Sequence, residues 1–154
     1  EATLSQFYSA EEVETFGRLL RDHLVIAAEL VTAAKAGDNA AVAETTERWY
    51  ANADEIVAQM NRMNPFWTIE EQRSMWQRHL DLTIEEAVAT LSGDYARSIA
   101  TFDAIEEQAL MMANSFTRGI IRQFDLDTGT SAAKGTKGRG KRTTRRRTRT
   151  RTRT

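Results

Sequence analysis

Hydrophobic residues recur along the first 126 positions at steps of three and four, the spacing that lines one face of an α-helix. Ser9-Ala10-Glu11-Glu12 has the form of a capping box, with a hydroxyl at the N-cap and Glu at the third helical position. Val13, Phe16, Leu20, Leu24, Ala27, Leu30, Val31 and Ala34 follow as the first seam. Gly37 predicts a left-handed C-cap, and Asp38 caps the next helix at once. The second helix, about 39–62, carries Val42, Thr45, Trp49, Ala53, Ile56, Met60 and Met63. Asn64-Pro65 stops it, because the residue before proline avoids the helical region.

Phe66-Trp67 reads as an aromatic plug for one end of a bundle, and Leu4, Phe7 and Tyr8 as a lead-in that packs back on the body. Thr68-Ile69-Glu70-Glu71 is a second capping box. It opens a helix with Ile69, Met75, Trp76, Leu80, Ile84, Ala87, Val88 and Leu91 on its seam. Thr83-Ile84-Glu85-Glu86 could cap a further helix, but an uninterrupted one is the preferred reading. Ser92-Gly93-Asp94 repeats the stop-and-cap pattern. The last helix, about 95–124, has the seam Tyr95, Ile99, Phe102, Ile105, Ala109, Met112, Phe116, Ile120 and Phe124. No strand pattern occurs in 1–126. Four long helices with very short links predict an all-α, antiparallel up-down-up-down four-helix bundle.

After Leu126 the pattern ends. Residues 127–154, DTGTSAAKGTKGRGKRTTRRRTRTRTRT, hold no Leu, Ile, Val, Met or aromatic residue, so they cannot bury a core and predict a disordered tail. The domain reading is therefore a bundle over 1–126 and a tail over 127–154. Charge sharpens it. The tail carries Lys134, Lys137, Arg139, Lys141, Arg142, Arg145, Arg146, Arg147, Arg149, Arg151 and Arg153 against one acid, Asp127, or +10. The whole chain has 21 bases and 22 acids, which leaves 10 bases and 21 acids, or −11, in residues 1–126. A net charge of −1 thus hides an acidic body joined to a polycation.

The 154 residues contain no Cys, which excludes disulfides, thiolate metal sites and a Cys nucleophile. No apolar run approaches the roughly 20 residues of a membrane span, and no signal peptide opens the chain. The chain starts at Glu1, so a processed form or fragment with a leader removed is expected. There is no phosphate loop, nucleotide fingerprint or nucleophile elbow, and a non-enzymatic protein without cofactor is expected. Trp49, Tyr50, Phe66, Trp67 and Trp76 read as core rather than as a base-stacking surface.

The two histidines lie beside the apolar seams. His23 is about 14 residues, or roughly 21 Å, up the first helix, and His79 about 11 residues, or roughly 17 Å, up the third. On the antiparallel helices, Asn52 at about 15 Å and Asp103 and Glu106 at about 18–22 Å share that height. The five define a candidate polar layer, with a structural role preferred and a divalent metal or small ligand as the alternative. Asp22, Asp81 and Asp103 are candidate partners for the imidazoles. The Glu-x-x-His motifs of di-iron bundles are missing. Leu20-Arg21-Asp22-His23-Leu24 and Trp76-Gln77-Arg78-His79-Leu80 hint at two related helical hairpins, each ending its first helix at Gly-Asp.

Several ordered motifs carry a resemblance. Residues 20–38 (LRDHLVIAAELVTAAKAGD), Trp49-Tyr-Ala-Asn-Ala-Asp-Glu-Ile56, Asn64-Pro-Phe-Trp67, His79-Leu-Asp-Leu-Thr83, Ala109-Leu-Met-Met-Ala-Asn114 and Gly119-Ile-Ile-Arg-Gln-Phe124 resemble a family of small all-helical bacterial proteins of unknown function. The likeness covers about residues 7–124. It implies a bundle and no reaction, a further helical segment ahead of this one, and recurring His and Asn positions at His23, Asn52 and His79. It does not include the tail.

The tail supplies the functional expectation. Extended, its 28 residues reach roughly 90 Å at about 3.3 Å each. Such a polycation binds nucleic-acid backbone by counterion release with little sequence preference, and Arg matches phosphate through its planar fork. The leading expectation is a nucleic-acid-associated protein, cytoplasmic or nucleoid-associated, whose tail contacts phosphate and whose bundle is the scaffold. The competing expectation is self-assembly, in which the tail docks on acidic bundles of neighbouring copies. Strand addition by the alternating Arg-Thr run 147–154, an anionic-lipid patch and a merely solubilising appendage are weaker readings.

Overall fold

The computed structural model describes residues 3–126. The tail, with its expected disorder and all eleven bases, lies outside the described residues. A 3-10 turn, Leu4–Gln6, leads into α1 (Ala10–Ala36), α2 (Asn39–Met63), α3 (Ile69–Leu91) and α4 (Tyr95–Phe124), and no strand occurs among the described residues. The capping signals locate the ends. Ser9 Oγ accepts from Glu12 N at 3.3 Å while Ser9 N donates to Glu12 Oε2 at 2.9 Å, the complete box. Gly37 closes α1 in the left-handed region at φ 71°, where a side chain would be strained. Asp38 and Asp94 accept from Ala41 N and Arg97 N, so each hairpin restarts with the same cap. Asn64 is extended, as a residue before proline must be. Thr83 turns its hydroxyl onto His79 O within the helix, and α3 runs through unbroken.

The helices alternate in direction. α1 lies on α2, α3 lies on α4, and α2 joins the two hairpins by packing on α3. Cα atoms of α1 and α4 stay more than 8 Å apart throughout, although the Phe16 and Phe116 rings meet at 5.9 Å. The core therefore sits among α1, α2 and α3. Phe16, Leu19, Ile26, Leu30, Trp49, Ile56, Val57, Met60, Trp76 and Leu80 fill it. Each such large apolar side chain contributes about 1.5–3 kcal/mol when fully buried.

One end is plugged as expected. Trp67 is fully buried, its ring 4.4 Å from Phe116, and its Nε1 donates to Phe116 O at 3.2 Å. A Cβ on Gly119 would collide with that indole, so the α4 backbone needs glycine there to approach it. Asn64 Nδ2 donates to Tyr8 Oη, Tyr8 Oη donates to Gln123 Oε1, and Gln123 Nε2 donates to Met63 O, each at 3.0 Å. Phe66 stays at the rim, under the Arg122 guanidinium at 4.4 Å.

Two seams depart from expectation. On α1 the buried stripe is Phe16, Leu19, His23, Ile26 and Leu30, whereas Leu24 and Val31 are exposed. On α4 only Thr101, Gln108, Ser115 and Gly119 are buried, and Tyr95, Ile99, Phe102 and Ala109 face outward. The common reason is the stand-off between α1 and α4. Each carries an apolar stripe that a closed bundle would press against the other, and here the stripes meet at the plugged end, where Phe16 and Phe116 touch, and leave Leu24, Val31, Tyr95, Ile99 and Phe102 exposed.

Candidate functional site

Three members of the expected polar layer, His23, Asn52 and His79, are held in hydrogen-bonded pairs, while Asp103 and Glu106 lie outside it and Gln108 is added. His23 is buried between two indoles, with Trp49 at 5.0 Å and Trp76 edge-on at 5.1 Å. Its Nδ1 lies 2.8 Å from Asn52 Oδ1. Asn52 Nδ2 donates to Leu19 O at 3.2 Å, which fixes the amide so that its oxygen faces the imidazole. An amide oxygen only accepts, so the imidazole carries its proton on Nδ1 and leaves the Nε2 lone pair free in the neutral ring. Trp49 Nε1 donates to His23 O at 3.1 Å, a second tie between α1 and α2. Burial pushes the His23 pKa below its ordinary value, and the nearby His79 adds to this; the Asn52 hydrogen bond opposes both.

The second hairpin repeats the device. His79 Nδ1 lies 3.0 Å from Gln108 Oε1, and Gln108 Nε2 donates to Met75 O at 2.9 Å. Partner, imidazole and carbonyl are each displaced by 56 residues from Asn52, His23 and Leu19. The displacement extends to the Gly37 and Gly93 turns and to the buried polar pairs Thr45/Thr101 and Gln59/Ser115. α2 thus buries a polar residue every seventh position at 45, 52 and 59, and α4 does so at 101, 108 and 115. Seven residues make nearly two turns, so each set stays on one face.

The carboxylates expected in this layer lie elsewhere. Asp103 and Glu106 are exposed, because Gln108 occupies the inward face of α4 and their side chains point some 100° or more away from it. Asp22 pairs with Arg18 at 3.3 Å, and Asp81 accepts from the Tyr50 hydroxyl. Partial burial, with that bond and the Asp81 charge added, pushes Tyr50 up to about 12. Gln108 was missed by sequence reasoning that sought charged partners for histidine. The seven-residue spacing of Thr101, Gln108 and Ser115 was the available signal.

The layer offers two imidazoles, each with an amide partner. Among the described residues no group of three or more His, Cys, Asp or Glu is placed to hold a metal ion. Trp76 Nε1 is buried without a hydrogen-bond partner, beside the His23 ring it meets edge-on. What the arrangement does is mechanical. Each amide joins the imidazole of one helix to a backbone carbonyl one turn earlier, and so clamps α1 to α2 and α3 to α4.

At the opposite end from the Trp67 plug, between the two Gly-Asp turns, an apolar cleft of about 80 Å³ opens among α1, α2 and α3, lined by residues that include Leu30, Val31, Val42, Ile84, Val88 and Leu91. No helix among the described residues is long and apolar enough to cross a membrane. In comparisons with protein-family models, curated proteins and solved structures, nothing matches this chain.

Proposed function

We propose that the protein is a non-enzymatic nucleic-acid-associated protein whose C-terminal bases contact phosphate backbone while the helical bundle serves as scaffold. The observation that carries this reading is the segregation of charge. Residues 127–154 hold +10 and residues 1–126 hold −11, so phosphate is attracted to one part and repelled by the other. The bundle supports the reading in one way. Its core cluster and the apolar side chains packed on it all lie between Leu4 and Phe124, and the stretch that holds the bases at 134–153 has no apolar side chain larger than Ala to add to it.

Arg predominates among the bases of the tail, and its fork favours bidentate phosphate contacts. Filter binding of the full chain and of a 1–126 truncation to duplex DNA and to single-stranded RNA tests the proposal. The full chain should bind both, and log K should fall against log salt with a slope of about −4 to −5 for six phosphates contacted. The truncation should not bind. Equal binding by the two forms, or a flat salt dependence, would overturn it.

A further inference from the structure

The apolar cleft between the two Gly-Asp turns has no polar side-chain atom left to offer an occupant. Thr46, Trp49 and Thr83 are the lining residues that carry one, and each is already used. Thr46 Oγ1 donates to Val42 O and Thr83 Oγ1 to His79 O, both at 2.7 Å, and Trp49 Nε1 donates to His23 O. The rest of the lining is Ala, Val, Leu and Ile. A buried water needs about two to four polar partners, so this space suits hydrocarbon rather than water.

The dimensions of the cleft select the kind of hydrocarbon. Its volume of about 80 Å³ is roughly half that of the 150 Å³ apolar cavity that accommodates benzene. Its α1 wall, from Ala27 to Ala34, runs about 10 Å at roughly 1.5 Å per residue. A long slot of small volume takes an unbranched aliphatic chain end-on more readily than a ring. The mouth lies between α1 and α3, where Val31, Val88 and Leu91 are 44, 52 and 44 % exposed and continue the apolar path to solvent.

Charge at the mouth identifies the other end of the ligand. Lys35 lies one turn beyond Val31 on the same side of α1 and is exposed. It forms no ion pair with a described residue. The acids near this end are engaged elsewhere. Glu29 pairs with Arg48 and Glu85 with Arg97, Glu86 accepts from the Thr90 and Ser98 hydroxyls, and Asp38 and Asp94 cap helices. Glu44 and Glu47 sit roughly 130–170° around α2 from the middle of its cleft wall and point away from it. An ammonium beside the open end of an aliphatic slot matches a carboxylate.

We propose that this cleft binds a straight-chain fatty carboxylate, its hydrocarbon chain among α1, α2 and α3 and its carboxylate on Lys35 Nζ. The site uses none of the bases at 134–153, so it is independent of the nucleic-acid reading.

Calorimetric titration of the full chain with decanoate, and with decanol as the uncharged counterpart, tests the proposal. The basic stretch also attracts carboxylates, so decanoate labelled at its terminal methyl is followed by NMR. That methyl should show nuclear Overhauser contacts to Val42 and Ile84, residue types absent from 127–154. Ala87→Leu fills the slot and should weaken both ligands about tenfold. Val88→Glu charges the mouth at an already exposed position, so it keeps its helical circular dichroism and should have the same effect on both ligands. Lys35→Glu should weaken decanoate by about three- to tenfold and leave decanol unchanged. Absence of methyl contacts to Val42 and Ile84 would overturn the proposal. So would binding that survives both Ala87→Leu and Val88→Glu, or a Lys35→Glu variant that treats decanoate and decanol alike. Nucleic-acid binding is read separately by truncation at residue 126, so failure of either proposal leaves the other's result legible.

Discussion

The two helical hairpins carry the same internal clamp and bury very different surfaces. In the first, α2 is wrapped on both sides, and Trp49, Ala53, Ile56, Val57, Met60 and Met63 are all buried. In the second, the equivalent helix α4 buries Thr101, Gln108, Ser115 and Gly119 and no large apolar residue. The His–amide–carbonyl tether is kept at both places, at 2.8 and 3.0 Å. The clamp therefore sets the pairing and height of two helices, and position in the chain order decides how much apolar surface is covered. α2 lies between α1 and α3, while α4 has α3 on one side and nothing but the plugged end to meet α1.

The largest effect should separate the hairpins at equivalent positions. Trp49 and Ile105 are 56 residues apart on α2 and α4. Trp49→Ala removes a core indole that is 2 % exposed, together with its bond to His23 O, and should cost about 3–5 kcal/mol. Ile105 is half-buried, and removing its three carbons at half of roughly 0.8 kcal/mol per CH₂ should cost about 1 kcal/mol. Urea unfolding with both midpoint and slope compared gives the two numbers. Equal losses would mean that α4 is as deeply packed as α2.

The clamps themselves should differ next. Asn52→Ala leaves the His23 Nδ1 proton without its partner in a buried setting, at about 1–3 kcal/mol, while Leu19 O loses its second donor and keeps its helical bond. Gln108→Ala does the same to His79, but His79 is half-buried and water can replace the lost bond. Its cost should be about 1 kcal/mol. Thermal unfolding of the two variants side by side checks the order. A Gln108 variant as damaged as the Asn52 variant would show the second clamp to be as dry as the first.

Much of this contrast could be read in the sequence, and the unread part has a definite cause. Helix ends rest on local chemistry, so Ser9, Gly37, Asp38, Pro65 and Asp94 located them to within a residue. The α2 seam was equally legible, because a helix packed on two sides buries every apolar residue at seam spacing. The α1 and α4 seams were misjudged at Leu24, Val31, Tyr95, Ile99 and Phe102, because each helix carries two candidate stripes and periodicity cannot say which has a partner. On α4 the winning stripe is the polar one, Thr101, Gln108 and Ser115, which hydrophobic pattern reading discards. The two carboxylates of the candidate layer failed in the same way. Asp103 and Glu106 have the chemistry expected beside histidine, and Gln108 has the right face.

A pH test probes the first clamp. With its pKa depressed by burial, His23 binds fewer protons folded than unfolded at pH below about 6.5. Its contribution to stability is therefore complete above 6.5 and is lost as pH falls through the depressed folded value. Imidazole resonances followed by NMR should show the buried His23 ring titrating below 6.5. A His23 ring that titrates at or above 6.5 would mean that water reaches the first clamp.

The smallest effect concerns the joint between the hairpins, where Tyr50 of α2 donates to Asp81 of α3. Partial burial and the acceptor carboxylate push the phenol up to about 12 from its ordinary 10. A folded pKa above the unfolded one means that the folded state holds its proton more firmly. The stabilisation is fully present below about pH 10 and is lost as pH rises through about 12. The pair faces solvent, so the effect is modest, and it is best read as a difference between the parent chain and Tyr50→Phe. That difference in Tm should be constant up to about pH 10 and shrink above it. A difference that holds its value into that range would show that the Tyr50–Asp81 bond does not tie the hairpins together, and would leave α2–α3 packing to the apolar side chains alone.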